Sequence, residues 1–181
     1  MNEILDIVYD IPDEVVLEDR HILAVLVDNE FGVLNRVVGL FSARGYNIES
    51  LTVAEVDAKK NLSRITVVTR GSSAKIKHII ALLERMVPVH KVHDLTVESP
   101  FVERELALVK VAGVGDERNE AMRIADIFRA KPVDTTIESF VFEITGTSEK
   151  VNQFIALMKP LGLAEVCRTG VASVARGKKG I

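Results

Sequence analysis

No tryptophan occurs in these 181 residues, aromatic side chains make up only 5 %, and there is a single cysteine, Cys167. The interior must therefore be aliphatic, and the 48 % hydrophobic content supplies it in the proportion usual for a globular chain. One thiol excludes an intramolecular disulfide framework, leaves no second thiolate for a metal site and points to a reducing compartment. No apolar run approaches the roughly 18 residues that a membrane-crossing helix needs. The amino terminus also lacks a basic start ahead of an apolar stretch, so a cytoplasmic location is expected. Positive charge is short as well. With 23 Lys and Arg against 26 Asp and Glu, the net charge is −3, which argues against a general nucleic-acid binder. The shortage is local, because residues 1–19 hold seven acids and no Lys or Arg. They read as an acidic extension outside the main fold, and residues 178–181 as a short basic tail.

What the chain does have is a pattern of strands and helices written twice in the same order. In the first pass, residues 22–27 form an apolar run that reads as a strand. Val33, Val37, Leu40 and Phe41 then fall on one face of a helix ending near Ala43. Strands over 47–56 and 62–70 follow, with a turn at 57–61. Gly71-Ser72-Ser73 opens a helix striped by Ile76, Ile79, Ile80 and Leu83, Pro88 stops it, and a strand runs over 89–97. In the second pass, a strand over 106–111 leads through Gly113-Val114-Gly115 into a helix over 117–129 that ends before Pro132. Strands over 133–137 and 140–145, a helix carrying Val151, Phe154, Ile155 and Met158, and a last strand over 165–174 complete it.

The order βαββαβ, repeated, predicts an α+β chain of two tandem ferredoxin-like domains. Each is an antiparallel sheet with its helices on one face. The expected division is a first domain over 20–98, a linker at 99–101 and a second domain over 102–177. Domains of this size bury thin cores and are marginal alone, and open sheet edges are commonly managed by pairing with another copy. The first domain is therefore expected to form an edge-to-edge homodimer with its first helices packed across the dyad.

The strongest constellation is Asp28-Asn29-Glu30-Phe31-Gly32-Val33-Leu34, where a strand passes through an Asn/Gly turn straight into a helix. The unpaired amides and positive dipole end of such a helix start suit a small carboxylate. Gly32, lacking a Cβ, permits close approach, and the backbone amides of Gly32, Val33 and Leu34 would take the acid. The Asn29 side chain can donate to that acid or accept from an ammonium. Asn47 and Ile48, entering the next strand, would complete the pocket either within one chain or from a partner. A plain turn and helix cap is the bland alternative.

Residues 21–53 together resemble an ACT domain, the small amino-acid-sensing module. More narrowly, Gly39-Leu40-Phe41-Ser42 followed by Arg44-Gly45-Tyr46-Asn47-Ile48-Glu49-Ser50-Leu51-Thr52-Val53, with Leu62-Ser63-Arg64 beyond, resembles the small regulatory subunit of acetolactate synthase (acetohydroxyacid synthase). Val102-Glu103-Arg104-Glu105-Leu106 resembles the start of that family's C-terminal domain. The likeness implies a non-catalytic regulatory subunit that binds a branched-chain amino acid, valine first, at an ACT dimer interface. It implies feedback inhibition and activation of a separate catalytic subunit, which would hold thiamine diphosphate, Mg and FAD; none of these is expected in this chain. The family's effector contacts map onto Asn29, Gly32, Val33, Leu34, Asn47 and Ile48. The acidic extension departs from the family pattern, and reads either as a free tail or as a contact to the catalytic subunit.

No catalytic or metal-binding set emerges elsewhere. His90 and His93 are expected at the surface on opposite faces of a strand. Gly113-Val114-Gly115 lacks the third glycine of a dinucleotide fingerprint and leads into acids, which repel phosphate. Cys167 is expected in the core, and Arg168, Arg176, Lys178 and Lys179 in a solvated end. An alternative class is an amino-acid-responsive transcription regulator with an ACT-like sensor. It would need a helix-turn-helix or basic ribbon that the sequence lacks, and a gel shift separates the two.

Overall fold

A computed structural model describes residues 18–178 and 180–181. Most of the acidic extension, residues 1–17, lies outside the described residues. Of the remainder, Glu18 accepts a hydrogen bond from Lys75 Nζ at 2.9 Å and Asp19 opens the first strand.

The first unit comprises β1 (Asp19–Asp28), α1 (Val33–Ala43), β2 (Ile48–Asp57), β3 (Leu62–Gly71), α2 (Ser73–Glu84), β4 (Val89–Asp94) and a single helical turn, α3 (Leu95–Glu98). Its antiparallel sheet has the order β2-β3-β1-β4, leaving β2 and β4 as edges. The second unit comprises β5 (Phe101–Val111), α4 (Asp116–Phe128), β6 (Lys131–Thr135), β7 (Phe140–Gly146), α5 (Ser148–Met158), β8 (Leu163–Arg168) and β9 (Ala172–Ala175). Its order is β6-β7-β5-β8, with β9 paired to the first residues of β5. Among the described residues no helix is long and apolar enough to cross a membrane.

Helical and strand periodicity account for both cores. Leu23, Val25 and Val27 of β1 meet Val33, Val37 and Phe41 of α1 and Ile76, Ile79 and Leu83 of α2. In the second unit Phe140, Phe142 and Ile144 of β7 meet Val151, Phe154 and Met158 of α5. The unbroken apolar run in β1 has a cause that alternation alone does not supply. Its other side chains, Ile22 and Ala24, are also fully buried, under Leu95 and Val171 together with Phe101 and Ala175. The far face of the first sheet is thus covered by the closing strand of the second unit.

Four elements differ clearly from their expected spans: the strand expected over 106–111 begins at Phe101, within the expected linker, because residues 101–104 pair with β9. The strand expected to reach Val97 stops at Asp94, whose carboxylate accepts from the Thr96 amide at 3.1 Å and from its hydroxyl at 2.6 Å, making a helix cap that competes with extended backbone. The strand expected over 165–174 is two strands broken at Gly170, which has φ +81°. Finally, β6 begins at Lys131 and includes Pro132, tolerated because β6 is an edge.

Two side chains fall elsewhere than expected. Cys167 is exposed, not core, because it pairs with Leu108 on the sheet face turned away from the helices. Arg168 is no part of a solvated end. It lies on the helix face and binds both oxygens of Glu105, at 2.5 and 2.8 Å, and Asn152 Oδ1 at 2.8 Å. Glu105, only 4 % exposed, also accepts from Ser148 Oγ at 3.1 Å.

Candidate functional site

The junction of β1 and α1 is pinned from behind. The Asn29 amide donates to Asn61 O at 2.7 Å, and Asn61 Nδ2 returns a bond to Asn29 O at 3.2 Å. Asn61, itself left-handed with φ 54°, belongs to the turn between β2 and β3. The Asn29 side chain donates to Glu55 Oε1 at a long 3.4 Å. Gly32 then takes φ 81°, ψ −2°, a left-handed conformation that favours glycine, and α1 begins.

No side chain caps α1 and no acid lies in its first turn. The first-turn amides have no acceptor inside the helix. Val33 makes only a long bond to Glu30 O at 3.4 Å. A Cβ built on Gly32 meets nothing within 4 Å, so the space over this helix start is open. Carboxylates stand nearby as well: Glu30 is exposed, and Glu55 faces Asn29. Amides on one side and carboxylates on the other suit a zwitterion. Asp28 does not contribute a free charge, since His90 Nε2 holds it at 2.6 Å.

Asn47 and Ile48 lie at the opposite end of the same sheet. Asp28, Leu62 and Asp57 share one level across the strands, whereas His21, Thr69 and Ile48 share another. From Leu62 to Thr69 is seven steps along β3, so at about 3.3 Å per residue the two halves of the expected pocket are roughly 20 Å apart. Asn29, Gly32, Val33 and Leu34 are therefore together, and Asn47 and Ile48 are not with them. Closure of this pocket within one chain is excluded. Asn47 is held in place by Thr69 Oγ1, which donates to its carbonyl at 2.6 Å. Glu55 and Asn61, neighbours of Asn29, escaped the sequence reading because they lie 26 and 32 residues along the chain.

Among the described residues, exposed apolar side chains stand at this end and along the neighbouring part of β2. Phe31 is fully exposed and Leu34 38 % exposed at the start of α1, and Val53 at 41 % and Val56 at 54 % are exposed on β2. The other motifs have structural roles. His93 pairs with Glu98, Ser72 caps α2 through the Lys75 amide, and Gly113 packs so closely that a Cβ would lie 2.8 Å from Leu161 O.

Two antiparallel βαββαβ units in series, each with its two long helices on one face, define a tandem ACT-like protein. The family described as "AHAS small subunit-like ACT domain" matches residues 23–91, and that described as "Small subunit of acetolactate synthase" matches 104–177. The acetolactate synthase small subunit of Haemophilus influenzae is 47 % identical over 163 residues, covering 90 % of this chain and 99 % of its own. A probable acetolactate synthase small subunit of Archaeoglobus fulgidus is 43 % identical, covering 88 % and 99 %. The crystal structure of the Thermotoga maritima acetolactate synthase small subunit superposes with a TM-score of 0.79 at 36 % identity, covering 89 % of this chain and 99 % of that one. The chain belongs to the acetolactate synthase small-subunit family.

Proposed function

We propose that the chain is a non-catalytic regulatory subunit that binds a branched-chain amino acid, valine first, between two copies of itself. In this reading it both activates a catalytic acetolactate synthase subunit and confers feedback inhibition on it. The supporting observation is the split site. Because β2 is an edge strand, antiparallel pairing with the β2 of a second copy would carry that copy's Asn47 and Ile48 to the end where Asn29 and Gly32 stand. The amides at the start of α1 would take the ligand carboxylate, and Glu30 or Glu55 its ammonium. The apolar rim would take the branched side chain. Occupancy favours the arrangement of the dimer in which both halves meet, and biases the partner toward its inhibited form. Thiamine diphosphate, Mg and FAD, with the carbon–carbon chemistry, belong to the catalytic subunit.

Calorimetric titration with valine, leucine and isoleucine, run beside light scattering, tests this reading. A dimer that binds at least one of the three is expected; a monomer at micromolar concentration that binds none overturns it. The purified chain given pyruvate, thiamine diphosphate and magnesium is expected to show no turnover.

The Asn29→Ala variant separates ligand binding from capping. Its present bond to Glu55 is long, so little stability should be lost. A hydrogen bond to a charged ligand group is worth about 1.5–3 kcal/mol, so the valine Kd should rise by roughly 10- to 150-fold. An unchanged Kd would leave Asn29 a turn residue only.

A further inference from the structure

The outer face of β2, the strand that begins at Ile48, is fastened to the second unit at one place. The Val171 amide donates to Ser50 Oγ at 2.9 Å, and Thr52 Oγ1 reaches Thr169 O at 3.5 Å. Between these contacts Gly170 turns with φ +81°, and a Cβ there would lie 2.7 Å from Ser50 Oγ and 3.0 Å from Thr52 Oγ1. Only a glycine lets the turn lie this close to the strand. The turn is equally fixed to the second unit, since the Thr169 amide donates to Leu106 O at 3.0 Å and the Leu106 amide to Thr169 Oγ1 at 3.2 Å.

Beside this fastening the two units stand apart across a polar cleft of about 500 Å³, with Arg20 and Arg70 on one wall and Glu149 and Asn152 on the other. The Arg20–Glu103 ion pair at 2.8 Å crosses between the units near its rim. Elsewhere the units are joined by Arg64, which donates to Ser173 O at 2.6 Å, and by Val171 and Ala175 packed over Ile22, Ala24 and Val68, so the turn at 169–171 is the place where β2 itself is held.

We infer that the turn at 169–171 couples the effector edge of the first unit to the second unit, with Ser50 and Gly170 as positioning residues. The inference rests on the proposed effector site. A ligand that joins two β2 edges must shift or stiffen β2 relative to the rest of its sheet, and the turn carries that change into β5 and β8. Neither residue touches the ligand.

The test compares valine Kd for the free subunit with that for its complex with the catalytic subunit. The ratio in the wild type is expected at roughly 5–150, the usual range for allosteric coupling. In Gly170→Ala the free-subunit Kd should stay within about twofold, while the ratio falls by at least about threefold toward one, because the new Cβ pries the turn off Ser50. Ser50→Ala, which removes one hydrogen bond without a clash, should give an intermediate ratio and decides the matter if Gly170→Ala does not fold. Co-elution with the catalytic subunit is checked for each variant. Wild-type ratios in folded variants, a lost free-subunit Kd, or loss of complex formation would each overturn the inference while leaving the effector site standing. A wild-type chain that binds none of the three amino acids overturns both.

Discussion

Gly32→Asp is expected to abolish feedback inhibition while the chain stays folded and still activates its catalytic partner. The site tolerates the change sterically, because a Cβ at Gly32 meets nothing within 4 Å. Its φ of 81° strains most side chains, but Asp and Asn visit this region more readily than others. The new carboxylate would sit at the uncapped start of α1, where the ligand's own acid is proposed to bind. Juxtaposing like charges costs several kcal/mol, so valine affinity should fall by at least about a hundredfold, since each ~1.4 kcal/mol is tenfold. Gly32→Asn carries the same backbone strain without the charge, and should retain much of the binding. Intact valine inhibition in Gly32→Asp would remove the carboxylate cradle from the site.

The second large effect is expected far from that site. Arg168→Ala leaves Glu105, 4 % exposed, without its cation. Breaking a buried pair in this way costs about 3–5 kcal/mol. Because the Arg168 side chain is 37 % exposed, the lower figure applies. For a chain of this size a loss of about 3 kcal/mol lowers Tm by roughly 6–12 °C. The same pair sets a pH dependence. The hydrogen bonds from Arg168 hold the Glu105 carboxyl below its ordinary value, against the opposing effect of burial. A carboxyl depressed in the folded state contributes stability above its unfolded pKa of about 4.3 and loses it as pH falls through the folded value. Without Arg168, burial pushes Glu105 upward, so the variant should be most handicapped near neutrality. The gap to wild type should then narrow as pH falls through the variant's raised value, beginning above the ordinary carboxyl value of about 4.3, and be smallest once the wild-type carboxyl is protonated as well. Adding Glu105→Gln should restore part of the loss, since a neutral buried amide costs less than an unpaired carboxylate. Chemical denaturation between neutral and acid pH measures all three.

Much of this molecule was legible from local patterning, for a physical reason. Val33, Val37 and Phe41 must share a face at helical spacing whatever lies opposite, and Phe142 and Ile144 must alternate whatever sheet they join. The start of α1 was legible too, because a helix start is made by consecutive residues. What escaped depended on distant partners. The Arg168–Glu105 pair joins residues 63 apart, so Arg168 looked like part of a basic end. Sequence alone assigns Cys167 to the core, whereas it is exposed, because a short apolar-looking strand does not reveal which face meets the helices. Asn47 was compatible with closing the pocket in the same chain or across a dyad until strand register put it at the far end of the sheet.

The covering of Ile22, Ala24 and Val68 by Val171 and Ala175 has a consequence for how the chain matures. Domains generally fold as units during synthesis, the earlier ones first. Here the earlier half cannot hide all its oily surface when its own residues have left the ribosome. That surface stays wetted until residues 171–175 emerge, some seventy positions after Phe101. Cutting the polypeptide near Pro100 would therefore yield a leading fragment prone to stick to itself, even with every residue of its own sheet and helices present.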